Sequence, residues 1–188
     1  STFAKFIQNK KYKLFGVYHT NKNKKYILYD KKKINLIKIN NLEIKKIVNY
    51  INKIKPSIII DFASICMVNE SWKFSNHYKN VNYFSKLKMT KYLEQKNFLK
   101  KYIYISTPEV FGSKKKIYEE DKIFKPTTPY AKSKMMAEKM FMENYKKTNF
   151  PTIICRFSNF YGPGQPLYRL IPKLCIALDL NIKFPMQG

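Results

Sequence analysis

The sequence has 188 residues, enough for one domain with a hydrophobic core, and its 45% apolar content excludes a disordered chain. The formal net charge of +25 suggests nucleic-acid binding. However, only Arg156 and Arg169 are arginines, the residue type that nucleic-acid readers use for bidentate contacts. No apolar run approaches the roughly 20 residues of a membrane-spanning helix, and no secretory leader is visible. We therefore expect a cytoplasmic protein that binds neither a membrane nor a specific nucleic-acid sequence.

The first half of the chain alternates between helix-like and strand-like segments. Apolar periodicity predicts the end of a helix at residues 3–8, strands at 13–18 and 34–39, and a helix at 42–54 that Pro56 terminates. Residues 57–62 form a nearly continuous apolar run, which is typical of a parallel strand buried on both faces.

The second half continues this alternation. It predicts a long helix at 74–94, strands at 101–106 and 151–156, and a helix at 169–178. Thr128 and Pro129 suit the N-cap and first position of a helix that should run to about Lys147. Strands alternating with helices of this length indicate one doubly wound α/β domain, residues 1–188, with a parallel, Rossmann-like sheet. Ligands of such folds bind beyond the carboxyl ends of the strands.

The cysteines argue against a metal site. Cys66, Cys155 and Cys175 are odd in number and far apart, which fits neither a disulfide framework nor a zinc-binding spacing. We predict buried free thiols and no metal.

A tyrosine and a lysine four residues apart form the most informative motif. Tyr130 and Lys134 would lie on one face of the helix that begins at Pro129. A free tyrosine has a pKa near ~10, and a nearby ammonium or a positively charged nicotinamide ring lowers it by favouring the phenolate. Tyr130 could then accept a proton from a substrate hydroxyl. In a chain so rich in lysine, a chance pair on an exposed helix is the alternative interpretation.

Two further motifs directly follow predicted strands. Residues 106–112 read Ser-Thr-Pro-Glu-Val-Phe-Gly, so that the Ser106 and Thr107 hydroxyls can reach a sugar oxygen and Glu109 can act as an acid or base. Residues 156–164 end in a Gly-Pro-Gly turn that would direct Asn159 towards the same site. Each motif alone also fits an ordinary loop at the end of a strand.

Together these motifs resemble the NAD-dependent epimerases and dehydratases of the extended short-chain dehydrogenase/reductase family. The subgroup that the sequence resembles most is the dTDP-glucose 4,6-dehydratases. The resemblance extends over essentially the whole chain, and it includes residues 58–64 as the strand that passes the cofactor and residues 80–82, Asn-Val-Asn, as the helix with a structural asparagine.

The resemblance implies roles for individual catalytic residues. Tyr130 would be the base for the sugar hydroxyl, and Lys134 would bind the nicotinamide ribose and tune Tyr130. Thr107 would hydrogen-bond the same sugar oxygen. Glu109 would remove the proton next to the new ketone.

It also implies binding residues. Ala63, Ser64 and Ser106 would line the cofactor, in addition to Tyr130 and Lys134. Asn159 would contact the sugar nucleotide, and Arg169 would lie near its phosphates or base. The full-length protein would be a homodimer.

Three departures from the family pattern limit these expectations. The glycine-rich phosphate loop is expected just before Ser1, so we interpret the chain as a fragment truncated at both ends, without the first strand and most of the carboxyl-terminal substrate region. Residues 18–20 lack the expected acidic residue for the adenosine ribose, which leaves NADP open beside NAD. Pro108 stands where the dehydratases carry the aspartate that protonates the departing hydroxyl.

The sequence therefore predicts a nucleotide-sugar-modifying enzyme. Bound NAD(P) would oxidise a sugar hydroxyl transiently, followed by dehydration, epimerisation or decarboxylation, with a 4,6-dehydratase-like lyase as the leading subclass. The alternatives are a degenerate family member that binds no cofactor and a basic nucleic-acid-binding module.

Overall fold

The computed structural model describes residues 2–19, 28–112 and 123–184. The chain divides into two units. The terminal unit comprises residues 1–38 and 159–188, and the central unit comprises residues 39–158. The single domain that the sequence suggests stays a prediction.

Helices and strands alternate along the chain. In order, the elements are α1 (Thr2–Ile7), β1 (Leu14–Tyr18), β2 (Ile34–Lys38), α2 (Ile44–Ile54), β3 (Ile58–Asp61), α3 (Val68–Lys73), α4 (Ser75–Lys79), α5 (Ser85–Leu93), β4 (Lys101–Ser106), α6 (Pro129–Thr148), β5 (Thr152–Arg156) and α7 (Leu170–Asp179). Short 3-10 turns lie at Lys31–Lys33 and Pro108–Phe111, and a π-helical turn lies at Asn80–Phe84. The predicted strands are all confirmed.

The long helix predicted at 74–94 is confirmed as a continuous helical segment from Ser75 to Leu93. It consists of α4, the π-helical turn and α5, which follow one another without a gap, and the separate helix α3 precedes it. The π-helical turn itself was not predicted, because residues 74–94 contain neither proline nor glycine and no local signal marks it. A π-helical turn accommodates an extra residue, and such turns are frequent at functional sites.

All strand pairs in the described residues are parallel. In the terminal unit β1 pairs with β2, and in the central unit the order is β3-β4-β5. The sequence predicts a single sheet without its first strand, whereas two sheets are observed. The predicted parallel α/β class is confirmed.

Aromatic packing fixes α6 against the middle strand of the central unit. Tyr102 and Tyr104 of β4 are fully buried, and the ring of Phe141 on α6 lies 5.2 and 4.8 Å from their ring centroids. Phe150 packs against Tyr102 at 5.7 Å. Rings at these separations attract one another in addition to burying apolar area. The position of α6 relative to the end of β4 is therefore well determined.

The ends of α6 follow from its sequence. The Thr128 hydroxyl accepts a hydrogen bond from the Ala131 N–H at 3.1 Å, and Pro129 fills the first position. The helix ends where Asn149 adopts a left-handed conformation and donates its N–H to the Tyr145 carbonyl. The predicted start of this helix is confirmed.

No helix in the described ranges combines the length and the apolar character that crossing a membrane requires.

Candidate active site

Thr107 and Glu109 lie on the 3-10 turn that follows β4. The Thr107 hydroxyl caps this turn by accepting a hydrogen bond from the Glu109 N–H at 3.3 Å. Pro108 fills the first position of the turn, where a missing N–H costs nothing. Thr107 is buried and Glu109 is exposed, yet partial burial raises the pKa of the Glu109 carboxyl. The turn presents a hydroxyl and a carboxyl at the carboxyl end of the middle strand.

Tyr130 lies in the first turn of α6, close to both of these groups. Burial raises the pKa of Tyr130 to about 12, and the Glu109 carboxylate contributes to this rise. A hydrogen bond with the Thr107 side chain opposes it. Both effects require short distances, so the predicted trio of Tyr130, Thr107 and Glu109 forms one cluster.

Lys134 lies one turn further along α6 and is almost fully buried. Its Nζ donates to the Ile105 carbonyl at 2.6 Å and lies 4.3 Å from the centroid of the Tyr104 ring. Burial lowers the pKa of Lys134 from 10.5 to about 8. In the protein alone the pKa of Tyr130 is raised rather than lowered, by burial first and by Glu109 second, so the tuning of Tyr130 by Lys134 and the nicotinamide ring stays a prediction.

The predicted cofactor residues lie at the ends of two neighbouring strands. Ser106 ends β4, and its buried hydroxyl has no hydrogen-bond partner among the described residues. Such groups are rare in native structures, and this one lies where ligands of α/β folds bind. Ala63 and Ser64 are half-buried in the loop after β3, the strand that pairs with β4. Donors and acceptors at this edge suit a polar ligand.

Asn82 connects the loop after β3 to α6. Its amide oxygen accepts the Ile65 N–H at 2.9 Å, and its amide nitrogen donates to the Ile65 carbonyl and to the Ser133 hydroxyl, each at 3.0 Å. Ser133 in turn donates to the Tyr130 carbonyl at 2.7 Å. Asn82 is fully buried, and its contacts agree with the structural role that the resemblance implies.

An ion pair between a half-buried arginine and a buried glutamate supports the other side of α6. Arg156, at the end of β5, donates to both carboxylate oxygens of Glu138 on α6, with its shortest contact at 2.6 Å. The guanidinium lies over the Phe111 ring at 4.8 Å from the ring centroid. Bidentate pairs have restrictive geometry, so this contact fixes β5, α6 and the turn of Glu109 relative to one another.

The glycine that ends the motif at residues 106–112 is explained by steric constraints. Gly112 has a φ of 72°, and a Cβ there would collide with the backbone carbonyl of Lys125. The Lys125 N–H donates to the Val110 carbonyl at 3.0 Å, and the Phe111 and Phe124 rings stack at 5.7 Å. These contacts hold the turn that carries Glu109 against residues 124–125.

Sequence reasoning missed a charged cluster beneath the loop after β3. Lys86 is buried, pairs with Asp61 at 2.9 Å and donates to the Ala63 carbonyl at 2.6 Å. The Tyr102 hydroxyl donates to the other side of the Asp61 carboxylate at 2.6 Å. One signal was available: Lys86 lies four residues after Asn82, a spacing that places both side chains on similar faces of a helix.

Asn159 and Arg169, the predicted substrate contacts, belong to the terminal unit. Asn159 is exposed, and Arg169 precedes the first residue of α7. Their contact with a sugar nucleotide stays a prediction.

All three cysteines are free thiols, but the expected burial is wrong. Cys66 and Cys175 are exposed, and Cys155 is half-buried. Cys66 lies in the loop after β3 and contributes to the electrostatics of Tyr130 and Lys134, so it is close to the site. The described residues contain no group of three or more histidine, cysteine, aspartate or glutamate side chains arranged to hold a metal ion.

Comparison with known sequences identifies the family. A family model described as GDP-mannose 4,6 dehydratase matches residues 1–184. The dTDP-D-glucose 4,6-dehydratase of Dictyostelium discoideum is 35% identical over 164 residues, which cover 79% of this chain and 37% of that protein. The human dTDP-D-glucose 4,6-dehydratase is 33% identical over 135 residues, covering 71% and 38%. The chain thus spans less than half the length of these relatives.

Solved structures confirm the Rossmann-like fold. The dTDP-glucose 4,6-dehydratase of Bacillus anthracis, solved in complex with NAD, has a TM-score of 0.82, with 23% identity and coverage of 100% of this chain and 59% of that chain. The UDP-glucuronic acid 4-epimerase of Bacillus cereus, solved with UDP-glucuronic acid and NAD, has a TM-score of 0.77, with 22% identity and coverage of 94% and 58%. At these identities the likeness establishes the fold alone.

The family model covers nearly the whole chain, in agreement with the three motifs and the parallel strands. The chain therefore belongs to the GDP-mannose 4,6-dehydratase family, within the NAD-dependent epimerases and dehydratases of the extended short-chain dehydrogenase/reductases.

Proposed function

We propose that the protein modifies a nucleotide-linked sugar by transient oxidation of a sugar hydroxyl, with NAD as the cofactor. The observation that carries this proposal is the cluster of Tyr130, Thr107 and Glu109 at the carboxyl end of β4. The family and the names of the relatives support the same class of reaction, because the curated relatives above are sugar-nucleotide 4,6-dehydratases.

The residues beside this cluster fit a cofactor. The Ser106 hydroxyl, which has no hydrogen-bond partner in the part of the chain that the structure describes, would hold it together with the backbone of Ala63 and Ser64. Lys134 would bind its ribose. Lys134 is positioned for such a role, because its ammonium already lies at the end of β4 beside Ile105. NAD+, when bound, supplies the oxidant that accepts hydride from the sugar carbon.

Tyr130 would accept the proton of the sugar hydroxyl. With a pKa of about 12 its hydroxyl is protonated at neutral pH, so the base requires additional positive charge nearby to form. Lys134 supplies such charge if its ammonium turns from the Ile105 carbonyl towards Tyr130. The Thr107 side chain, already bonded to Tyr130, would orient the same sugar oxygen.

The step that follows oxidation depends on Glu109 and Pro108. The raised pKa of Glu109 suits a group that exchanges protons with carbon next to a ketone. Dehydration is the leading proposal, since the named curated relatives are 4,6-dehydratases. Pro108 favours a second candidate, epimerisation or decarboxylation, because a proline side chain cannot protonate a departing hydroxyl.

Replacement of Tyr130 by phenylalanine tests the proposal. The full-length protein would be incubated with NAD+ and with dTDP-glucose, UDP-glucose, GDP-mannose or UDP-glucuronic acid, the last because decarboxylation needs a carboxylate. The products would be separated by chromatography, which resolves epimers, and identified by mass spectrometry. We expect Tyr130→Phe to lower kcat about 10²–10⁴-fold, the usual contribution of a general base. Tyr145→Phe is the matched control, because Tyr145 is an exposed residue on the same helix.

The masses of the products separate the two candidates. Dehydration removes one water, decarboxylation removes carbon dioxide, and epimerisation leaves the mass unchanged. Full turnover by Tyr130→Phe would reject the assigned base. A wild-type protein that binds no NAD+ and converts none of these compounds would favour the cofactor-free alternative.

A further inference from the structure

Lys86 is a buried charge that the proposed reaction does not use. It lies on α5 with 2% exposure, and Asp61 at the end of β3 has 6% exposure. Burying an ammonium and a carboxylate is costly, and it is offset only when geometry and hydrogen bonds are good. Both conditions are met at this pair.

The Lys86 ammonium and both carboxylate oxygens of Asp61 have hydrogen-bond partners. The Lys86 ammonium donates to Asp61 Oδ1 at 2.9 Å and to the Ala63 carbonyl at 2.6 Å. Asp61 Oδ1 also accepts the Ala63 N–H at 2.9 Å, and Asp61 Oδ2 accepts the Tyr102 hydroxyl at 2.6 Å. Both backbone groups of Ala63 are therefore held by this one ion pair.

The same helical segment holds the loop at a second point. Asn82, four residues before Lys86, binds the N–H and the carbonyl of Ile65. The two side chains thus fix the backbone on both sides of Ser64. Through Ser133, Asn82 also connects this backbone to Tyr130.

From this geometry we propose that Lys86, together with Asp61, is a positioning residue for the cofactor: it holds the backbone at Ala63 and Ser64 in the conformation that binds NAD. This inference rests on the proposed function. An apolar pair of similar size would fill the same volume, but it would leave the Ala63 carbonyl without its charged donor.

The pair also acts on the lysine of the active site. Asp61 raises the pKa of Lys134 and Lys86 lowers it, so that the two effects oppose each other. Removing both charges together should therefore disturb Lys134 less than removing one of them.

The test compares two variants of the full-length protein. The double variant Asp61→Asn/Lys86→Met removes both charges and leaves an acceptor for the Tyr102 hydroxyl. The control is Lys91→Met, because Lys91 is an exposed lysine on the same helix. Three quantities are measured: hydrogen exchange of a peptide spanning residues 62–67, the Kd for NAD+, and the Kd for UDP or dTDP. A purely structural role would not separate the last two.

We expect the double variant to exchange faster in residues 62–67 and to bind NAD+ about ten-fold more weakly, the effect of one lost charge-assisted hydrogen bond. Nucleotide binding and the control should match the wild type. Lys86→Arg is a second variant that keeps the charge beside Asp61 and should fold even if the neutral pair does not. The planar guanidinium cannot reproduce the positions of the ammonium's three donors. Lys86→Arg should therefore also weaken the binding of NAD+ but not that of UDP or dTDP.

The inference would be overturned if both Lys86 variants kept the wild-type rate of hydrogen exchange in residues 62–67 and the wild-type Kd for NAD+. It would also be overturned if NAD+ and nucleotide binding weakened equally. A wild-type protein that itself binds no NAD+ would overturn the proposed function and, with it, the cofactor role of Lys86. These failures are distinguishable because only the last one appears without any substitution.

Discussion

Lys134 carries a positive charge in a place where charge is costly. Its ammonium donates to the Ile105 carbonyl and lies against the face of the Tyr104 ring. Burial is the main cause of its lowered pKa, and the charge of Lys86 adds to the effect. Such a site is suited to a ligand that brings further acceptors, because each new hydrogen bond to the ammonium offsets part of the cost of burial.

This burial makes stability depend on pH. Because the pKa of Lys134 falls from 10.5 to about 8 on folding, the unfolded chain binds more protons between these values. Stability should therefore rise with pH through this window, by up to about 3 kcal/mol. Lys134→Met should remove the rise. The measurement is urea denaturation of the wild type and the variant between pH 7 and pH 9, below the ordinary pKa of 10 at which Tyr130 titrates in the unfolded chain.

The difference in the free energy of unfolding between the wild type and Lys134→Met isolates the contribution of Lys134, because the other lysines are common to both proteins. If the free energies of unfolding of the wild type and of Lys134→Met ran parallel over this range, the lowered pKa would be wrong.

The family resemblance of the motifs, together with their places after predicted strands, was sufficient to predict Tyr130, Lys134, Thr107 and Glu109 as one group. The direction in which the pKa of Tyr130 moves was not predictable. It depends on how deeply the hydroxyl is buried and on the approach of Glu109, which is distant in sequence. Asp61 and Lys86 were missed for a similar reason: their partnership spans 25 residues and exists only after β3 and α5 have packed.

At the scale of elements, the π-helical turn is the least predictable feature and one of the most consequential. Apolar periodicity predicted the strands, and cap residues predicted the start of α6, because both are local signals. The π-helical turn within the predicted long helix has no such signal. Its residue Asn82 binds Ile65 and Ser133, so the turn accompanies contacts that are distant in sequence.

The turn provides a matched pair for measuring these contacts. Asn82→Ala would leave the N–H and carbonyl of Ile65 and the Ser133 hydroxyl without their partner, and we expect a loss of about 2–4 kcal/mol in the free energy of unfolding. Asn80→Ala, at an exposed position on the same turn, should stay within about 0.5 kcal/mol of the wild type. Urea denaturation measures both. Equal effects of the two substitutions would show that Asn82 does not connect the loop to α6.

On the scale of the whole molecule, the excess of positive charge needs an explanation other than nucleic-acid recognition. Thirty-five of the 37 basic residues are lysines, and they are distributed along the entire sequence. Lysine is a compact, strongly hydrated charge that attracts phosphate without reading a base edge. A general positive field of this kind would raise the encounter rate of an anionic sugar nucleotide.

This interpretation predicts nucleic-acid binding that is weak, independent of sequence and strongly dependent on salt. Fluorescence anisotropy with a random duplex and a single-stranded RNA should show binding near 0.05 M salt that is lost by about 0.15 M, because the affinity derives from released counterions. The KM for the sugar nucleotide should rise over the same range while kcat changes little, since screening weakens long-range attraction but has little effect on the short contacts among Tyr130, Thr107 and Glu109. Binding that persists at physiological salt, or that prefers one sequence, would instead support a nucleic-acid-binding module. Such a module would need a reading surface that two arginines do not supply.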